Sequence, residues 1–316
     1  MSAAWNERRE AGGRFAIRTL CAIGLRCGRT CARLVLYPAT LYFCLRRSRE
    51  RADSRAYLTR MFGRPPGVSE VLRHFHAYAA TILDRLFFLT DAHLGRFDVS
   101  VHGLDELNAH MRRGKGVLLL GAHFGSFEAL RMLSASRPDV RVRVVMDLNQ
   151  TRALNETLHA FNPGVAANVI HAGDDPGALA LALHEAAQAG DLIGLLADRA
   201  RPGETTVDAD FLGAPAPFPI APYVIASMLG LPVMFCVGLY RGGNRYDLYF
   251  ETFADEIKIP RAERRAQFHE LTQRFASRLE HYTRLAPYNW FNLYDFWHHP
   301  VGEPAAQRIA AARRIA

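Results

Sequence analysis

The chain has 316 residues, of which 49% are hydrophobic and 22% are charged. This length and composition suffice for one large domain with a sizeable core, and they exclude a mainly disordered chain. The formal net charge of +8 is concentrated at the N-terminus, because residues 1–64 hold fourteen arginines against four acidic residues. A basic segment on a near-neutral body indicates contact with a polyanionic surface, either nucleic acid or anionic lipid.

The five cysteines show neither a disulfide framework nor a metal-binding pattern. Their number is odd, no C-x-x-C pair occurs, and four of them lie in one apolar N-terminal stretch. We therefore expect reduced cysteines in a cytoplasmic protein. The sequence also lacks an H-E-x-x-H helix, so no metal site is predicted.

The N-terminal arginines favour lipid over nucleic acid. If residues 14–34 are helical, one face carries arginines and the opposite face carries apolar residues. The first face holds Arg14, Arg18, Arg26, Arg29 and Arg33, and the second holds Leu20, Ile23, Cys27, Cys31 and Leu34. Such a helix suits a membrane interface, although a solvated basic face on a packed helix is the alternative. The uncharged stretch at 34–45 is shorter than the ~20 residues that a span requires.

The remaining elements follow in chain order. A breaker at 63–67 predicts a boundary between a membrane-associating segment, 1–64, and a domain at 65–299, which is followed by a basic tail at 300–316. A long helix at 68–90 opens this domain. Predicted strands then lie at 97–101, 117–120, 140–146, 168–170, 192–197, 233–239 and 246–251. Predicted helices lie at 128–134, 151–161, 176–189, 220–228 and 262–285. This alternation predicts an α/β fold with a mixed, mostly parallel sheet flanked by helices.

The strand at 117–120 leads into a turn that carries candidate catalytic groups. The turn reads Gly121-Ala122-His123-Phe124-Gly125-Ser126-Phe127-Glu128. It lies at the carboxyl end of a strand, where α/β proteins bind ligands. A histidine there is suited to general-base catalysis, and a nearby carboxylate can fix its tautomer. Backbone N–H groups at the start of the following helix could stabilise an oxyanion. From the pattern alone, a structural histidine bonded at a helix start remains an alternative.

Several blocks together resemble a known family. The turn resembles the H-x4-D/E motif of the lysophospholipid acyltransferase superfamily, specifically the branch of the lauroyl and myristoyl acyltransferases of lipid A biosynthesis. Two later segments are similar to further blocks of that superfamily: Ala197-Asp198-Arg199 with residues 207–219, and Gly230-Leu231-Pro232-Val233. Residues 289–297 are similar to a group of bacterial members often associated with glycolipid or aryl-polyene lipid pathways. The F-P-E-G-x-R block of glycerophosphate acyltransferases is missing. This absence favours the lipid A-like branch over a lysophosphatidic acid type of acceptor.

The resemblance implies a role for each matching residue. His123 would deprotonate the hydroxyl of a lipid or glycolipid acceptor, and Glu128 would orient and support His123. Acyl carrier protein, or coenzyme A, would donate the acyl group as a thioester, without a cofactor. Arg131, Asp198 and Arg199 are candidates for substrate binding, with a surface arginine and an internal ion pair as alternatives. Phe211 and Phe218 would line an acyl channel, although such aromatic residues also occur in ordinary cores.

The location that follows is the cytoplasmic face of a bacterial inner membrane. The expected partners are the acyl donor, the lipid acceptor and the membrane surface, without nucleic acid, since no motif for binding it is present. Two other functions remain open. The chain could be a catalytically silent lipid-binding or scaffold protein of the same fold, or a thioester hydrolase, from which only exclusion of water would distinguish the transferase.

Overall fold

The computed structural model describes residues 14–88, 91–130, 132–133, 137, 140–146, 168–173, 175–201 and 203–297. Its helices are α1 (Arg14–Arg46), α2 (Ser48–Phe62), α3 (Val68–Phe88), α4 (Leu104–Met111), α5 (Pro176–Gln188), α6 (Ala221–Leu229) and α7 (Arg264–Leu285). Short 3₁₀ turns lie at Asp91–Arg96, Phe127–Leu130 and Arg261–Glu263. The predicted helix at 151–161 and the predicted tail at 300–316 lie outside the described residues.

Nine strands are described. They are β1 (Asp98–His102), β2 (Val117–Gly121), β3 (Val142–Met146), β4 (Val169–His171), β5 (Leu192–Leu196), β6 (Thr206–Phe211), β7 (Ala214–Pro219), β8 (Val233–Tyr240) and β9 (Arg245–Ala254). Seven of them form one sheet in the order β1-β9-β8-β2-β5-β3-β4, in which only the β8–β9 pair is antiparallel. The predicted α/β fold with a mostly parallel sheet is confirmed.

The central strand β2 is buried on both faces. Leu118 and Leu120 pack into one hydrophobic cluster, and Val117 and Leu119 into another, as the two-residue period of a strand requires. A continuous aliphatic run of this kind is typical of a parallel strand covered by helices on both sides. The sheet therefore forms the middle layer and holds the turn after β2 in fixed register.

The hairpin of β6 and β7 was not predicted. Its two strands pair antiparallel over Thr206–Phe211 and Ala214–Pro219 and form a separate two-stranded sheet. The hairpin packs against α7, where Gln273 accepts a hydrogen bond from the Asp210 backbone N–H and donates one to its carbonyl.

The N-terminal helices are partly integrated with this core. Helix α1 is kinked at Gly28 and runs through Pro38 as far as Arg46. Helix α2 buries Tyr57 and Leu58 in the same cluster as the central strand β2. Within the residues that the structure describes, no helix is both long and apolar enough to cross a membrane. The boundary predicted at residue 64 stays a prediction.

Candidate active site

The turn after β2 is shaped by glycines on the sheet below it. Phe127, at the start of the 3₁₀ turn, packs its ring against Gly121 of β2 and Gly194 of β5. A Cβ atom on Gly194 would lie 2.3 Å from the Phe127 ring. Only a strand surface without side chains at these two positions leaves room for the ring. This packing fixes the end of the turn that begins with His123.

Gly125 allows the turn to approach β8 closely. Its φ is +57°, and a Cβ atom would lie 1.8 Å from the carbonyl oxygen of Gly238. The next residue, Ser126, donates its backbone N–H to the same Gly238 oxygen at 2.9 Å. The loop after α7 binds the turn from the other side, because Gly125 N–H donates to the Asn289 carbonyl at 2.7 Å. The turn is therefore fastened both to the sheet and to the chain after α7.

Two neighbouring strands bring His123 and Asp198 together. His123 follows β2, Asp198 follows β5, and these strands are parallel neighbours whose carboxyl ends meet at one edge. Nδ1 of His123 lies 2.8 Å from Oδ1 of Asp198, and the His123 backbone N–H donates to the same oxygen at 3.1 Å. The Asp198 side chain is fully buried, whereas 33% of the His123 side chain is exposed. The arrangement is a histidine held by a buried carboxylate and open to solvent on one side.

Glu128 does not make the direct contact with His123 that the motif led us to expect. Among the described residues, its carboxylate forms an ion pair with Arg85 of α3 and accepts the hydroxyl of Ser126 at 3.2 Å. Glu128 lies in the 3₁₀ turn at Phe127–Leu130, where it faces the C-terminal end of α3. Asp198, which follows β5, approaches His123 instead. The carboxylate that bonds His123 is therefore Asp198.

The other predicted site residues fall into three groups. Arg131 lies outside the described residues. Arg199 donates to the Phe291 carbonyl at 2.7 Å and lies over the ring of Tyr294, next to Asp198. Phe211 and Phe218 are fully buried and pack against one another. Their expected roles in substrate binding stay predictions.

Two residues near His123 were missed by the sequence reasoning. Arg85 lies in the predicted helix at 68–90 and carries no motif that would have singled it out. Trp290 belongs to the family-like block at 289–297, for whose aromatic residues the sequence indicated only a membrane interface or core packing. Its indole N–H donates to Oδ2 of Asp198 at 3.2 Å. The signal for Trp290 was thus present in the sequence, whereas its partner Asp198 lies 92 residues away in the chain.

A comparison with protein families identifies one family that matches this chain. The model of the family described as bacterial lipid A biosynthesis acyltransferase matches residues 20–299. The chain belongs to this family. The match covers most of the chain and includes both His123 and Asp198, so the resemblance to the lipid A-like branch is confirmed, and the protein is an acyltransferase. No match is found among curated proteins.

The electrostatics of the site in this acyltransferase favour a neutral His123. Burial lowers its pKa, the cation of Arg199 and, more weakly, that of Arg85 lower it further, and Asp198 opposes them. Burial would raise the pKa of Asp198, but the contacts with His123 and the charge of Arg199 bring it down to about 2. Since ionised Asp198 can only accept, the proton of neutral His123 lies on Nδ1. Nε2 then carries the free lone pair.

Three backbone N–H groups of the turn in this acyltransferase are already used within the fold, and the oxyanion donors expected at the start of the following helix stay a prediction. The N–H groups of Phe124, Gly125 and Ser126 donate to the carbonyls of Ala122, Asn289 and Gly238. Positive charge near His123 comes from Arg85 and Arg199, the two cations that lower its pKa. A developing negative charge beside His123 would be stabilised by these cations.

Proposed function

We propose that this acyltransferase moves a fatty acyl group from an acyl thioester to a hydroxyl group of a lipid or glycolipid, with His123 as the general base. The observation that carries the proposal is the hydrogen bond from His123 to buried Asp198, which leaves Nε2 unprotonated on a side chain that is one-third exposed. A base must be neutral at the working pH and must reach its substrate. The lowered pKa of His123 and its partial exposure support this role.

The reaction needs one proton transfer and one acyl transfer. The acceptor hydroxyl gives its proton to Nε2 of His123, and the oxygen attacks the carbonyl carbon of the thioester. This attack forms the new C–O bond and a tetrahedral intermediate. When the intermediate collapses, the C–S bond breaks and the thiol of the donor leaves with the proton from His123. Asp198 stabilises the imidazolium in between, as a carboxylate does in other histidine-dependent acyl transfers. No covalent acyl-enzyme is required.

Arg85 and Glu128 have supporting roles in this mechanism. Glu128 holds the guanidinium of Arg85 through an ion pair. The cation lowers the pKa of His123, although less than burial and Arg199 do. Glu128 thus supports His123 through Arg85. The same positive charges compensate the oxyanion of the tetrahedral intermediate. Arg131 remains a candidate for binding a phosphate of either substrate.

We further propose that the acyltransferase binds the cytoplasmic face of a bacterial inner membrane through α1. A strip of apolar side chains on this helix is exposed. It consists of Leu34, Val35, Tyr37, Leu41, Tyr42 and Leu45. Their spacing corresponds to one broad face of a helix. Each is at least 39% exposed, although Tyr37 also stacks on His76 of α3. An apolar helical face flanked by arginines inserts favourably into the interface of an anionic bilayer.

Two arginines of the predicted basic face bind a buried carboxylate of the protein and do not face a membrane. Arg29 of α1 forms two hydrogen bonds of 2.7 Å with the carboxylate of Asp84, and Arg33 lies 3.4 Å from it. Asp84 is fully buried in α3 and also accepts the hydroxyl of Tyr246 at 2.7 Å. These cations fasten α1 to the protein body. The helix therefore turns its apolar face outward, as membrane binding requires.

The expected donor is acyl carrier protein, with coenzyme A as the other carrier of the same thioester chemistry. One experiment tests the activity, the chain and the acceptor together. Lipids of bacterial cells that express the wild type or His123→Ala are compared by mass spectrometry. We expect a lipid heavier by one acyl group with the wild type alone. Equal lipid profiles, together with thiol release from acyl carrier protein by wild type only, would indicate a hydrolase. Equal profiles without thiol release would indicate a lipid-binding protein.

A further inference from the structure

Trp290 contacts the carboxylate that holds His123. Asp198 uses its two oxygens differently, since Oδ1 accepts from His123 and Oδ2 accepts the indole N–H of Trp290 at 3.2 Å. Both Asp198 and Trp290 are fully buried, so water does not replace this donor. A buried carboxylate oxygen without a donor is costly, and the indole removes that cost for Oδ2. The contact also prevents rotation of the carboxylate about its Cβ–Cγ bond.

The backbone of Trp290 is itself held by a buried histidine from the N-terminal helices. Nε2 of His74 in α3 lies 2.9 Å from the Trp290 carbonyl oxygen, and Nδ1 lies 2.8 Å from the hydroxyl of Ser54 in α2. The carbonyl can only accept, so Nε2 carries the proton and Nδ1 accepts from Ser54. Burial lowers the pKa of His74 to about 4, although the Trp290 carbonyl opposes this, so the ring stays neutral near pH 7.

The neighbouring residues complete the attachment of this loop to the histidine turn. Phe291 donates its backbone N–H to the His123 carbonyl at 3.0 Å. Asn289 binds the backbone of β8, donating from Nδ2 to the Tyr240 carbonyl at 3.2 Å and accepting the Tyr240 N–H at 2.6 Å. The segment 289–291 thus joins α2 and α3 on one side to His123 and β8 on the other.

We propose that Trp290 is a positioning residue of the acyltransferase, which sets the orientation and basicity of the Asp198 carboxylate and thereby of His123, and that His74 anchors it. This proposal deepens the proposed function, since the histidine that it serves is the proposed base. Trp290 itself does not touch the reacting atoms. Its effect is transmitted through Oδ2 of Asp198.

Loss of the indole donor has a defined electrostatic consequence. The groups that act on His123 are Asp198, Arg199 and Arg85. Without the indole N–H, less of the negative charge of Asp198 is neutralised at Oδ2, and Oδ1 becomes a stronger acceptor for the imidazolium. The pKa of His123 must then rise, because its charged form is stabilised. A residue that only fills space in the core would not move this pKa.

The test measures the pKa of His123 directly by NMR titration of ring carbons in ¹³C-histidine-labelled full-length protein, with the resonance assigned from His123→Ala. Trp290→Phe keeps an aromatic ring and the backbone carbonyl but removes the indole N–H. We expect the pKa of His123 to rise by roughly 0.5 to 1 unit. We also expect kcat for thiol release from myristoyl-acyl carrier protein, with lipid vesicles as acceptor, to fall roughly tenfold at unchanged KM.

Trp297→Phe is the matched control. Its indole N–H donates to the Phe211 carbonyl at 3.2 Å in the same aromatic cluster, without contact to Asp198. This variant should keep the wild-type pKa of His123. An unchanged His123 pKa in folded Trp290→Phe, or an equal rise in Trp297→Phe, would overturn the proposal.

His74 provides a second test in case Trp290→Phe does not fold. His74→Leu removes the donor to the Trp290 carbonyl and should raise the pKa of His123 in the same direction. His74→Gln can place an amide N–H near the position of Nε2 and should restore the wild-type value. An unchanged pKa in folded His74→Leu would then refute the proposal. The pKa of His123 is measured independently of turnover. If it shifts as expected in a protein that has no transferase activity, the proposed function is refuted, whereas the positioning role of Trp290 is retained.

Discussion

His123 and Asp198 lie 75 residues apart in the chain, and Nδ1 of the first is 2.8 Å from Oδ1 of the second. The parallel pairing of β2 and β5 creates this contact, since each residue follows its strand at the same edge. Glu128, much closer to His123 in the sequence, binds Arg85 instead. We therefore expect substitution of Asp198 and substitution of Glu128 to affect catalysis differently.

Asp198→Asn should impair catalysis nearly as much as His123→Ala, by ~10²-fold or more in kcat. The amide has the size of the carboxylate but cannot stabilise the imidazolium or enforce the Nδ1–H tautomer. Glu128→Gln should lower kcat less, because Glu128 acts on His123 only through Arg85. Thiol release from myristoyl-acyl carrier protein measures all three, and thermal melts check their folding. A severe loss in Glu128→Gln beside an active Asp198→Asn would reverse these assignments.

The pH dependence of turnover should show an acidic limb below the ordinary histidine pKa of about 6.5. Burial, Arg199 and Arg85 lower the pKa of His123, and the base is active only when unprotonated. Activity is thus retained above this pKa and is lost as the pH falls through it.

Arg85→Gln removes one of those cations and should shift the limb of kcat/KM to higher pH. Arg113→Gln serves as the control, since it removes an exposed arginine that pairs with Asp255. For this control, the acidic limb of kcat/KM should lie at the same pH as in the wild type. A shift to lower pH in Arg85→Gln would contradict the proposed electrostatics.

Gly125→Ala should destabilise the fold by roughly 3 kcal/mol or more, because strain at positive φ adds to a collision with the backbone of β8. The Cβ would lie 1.8 Å from the Gly238 oxygen. Gly190→Ala is a matched control, with φ of +76° and no atom within 4 Å of the added Cβ. It should cost only about 1 kcal/mol. Chemical denaturation measures the free energy of unfolding of both variants. Equal losses of stability would show that the close approach of Gly125 to β8 adds nothing to the cost of the substitution.

Replacement of Leu41 and Leu45 by aspartate should weaken binding to anionic phospholipid vesicles by at least tenfold. Each change exchanges an apolar contact with the interface for a charge that anionic lipid repels. Leu181→Asp places the same charge on α5, where Leu181 is also exposed. Vesicle sedimentation should show wild-type binding for this control. Undiminished binding by the α1 variant would exclude the strip as the membrane contact.

The sequence predicted those parts of the fold that follow from local pattern. The aliphatic runs of β2 and β5 indicated buried parallel strands, and both were found within one residue of their predicted ends. The hairpin of β6 and β7 was missed because β7 contains Pro215, Pro217 and Pro219, which normally argue against a strand. A two-stranded ribbon tolerates them, since a proline needs no partner for its nitrogen on the unpaired edge.

The candidate site was predictable only in part. His123 was identified because a motif and a strand end coincide at one place in the sequence. Its partner was assigned to Glu128 because pattern reasoning favours residues that are close along the chain. The contacts with Asp198 and Trp290 depend instead on strand order and on the path of the chain after α7. Neither is encoded in a short window of sequence.

Asp84 and Arg85 are consecutive residues of α3 that face two different partners. Asp84 binds the arginines of α1, and Arg85 binds Glu128 in the turn that carries His123. A single helix, α3, therefore contacts both the element with the exposed apolar strip and the turn that carries His123. If α1 binds the membrane, the bilayer surface lies at a fixed distance from Nε2 of His123. This distance would select acceptors by how far their hydroxyl group projects from the membrane.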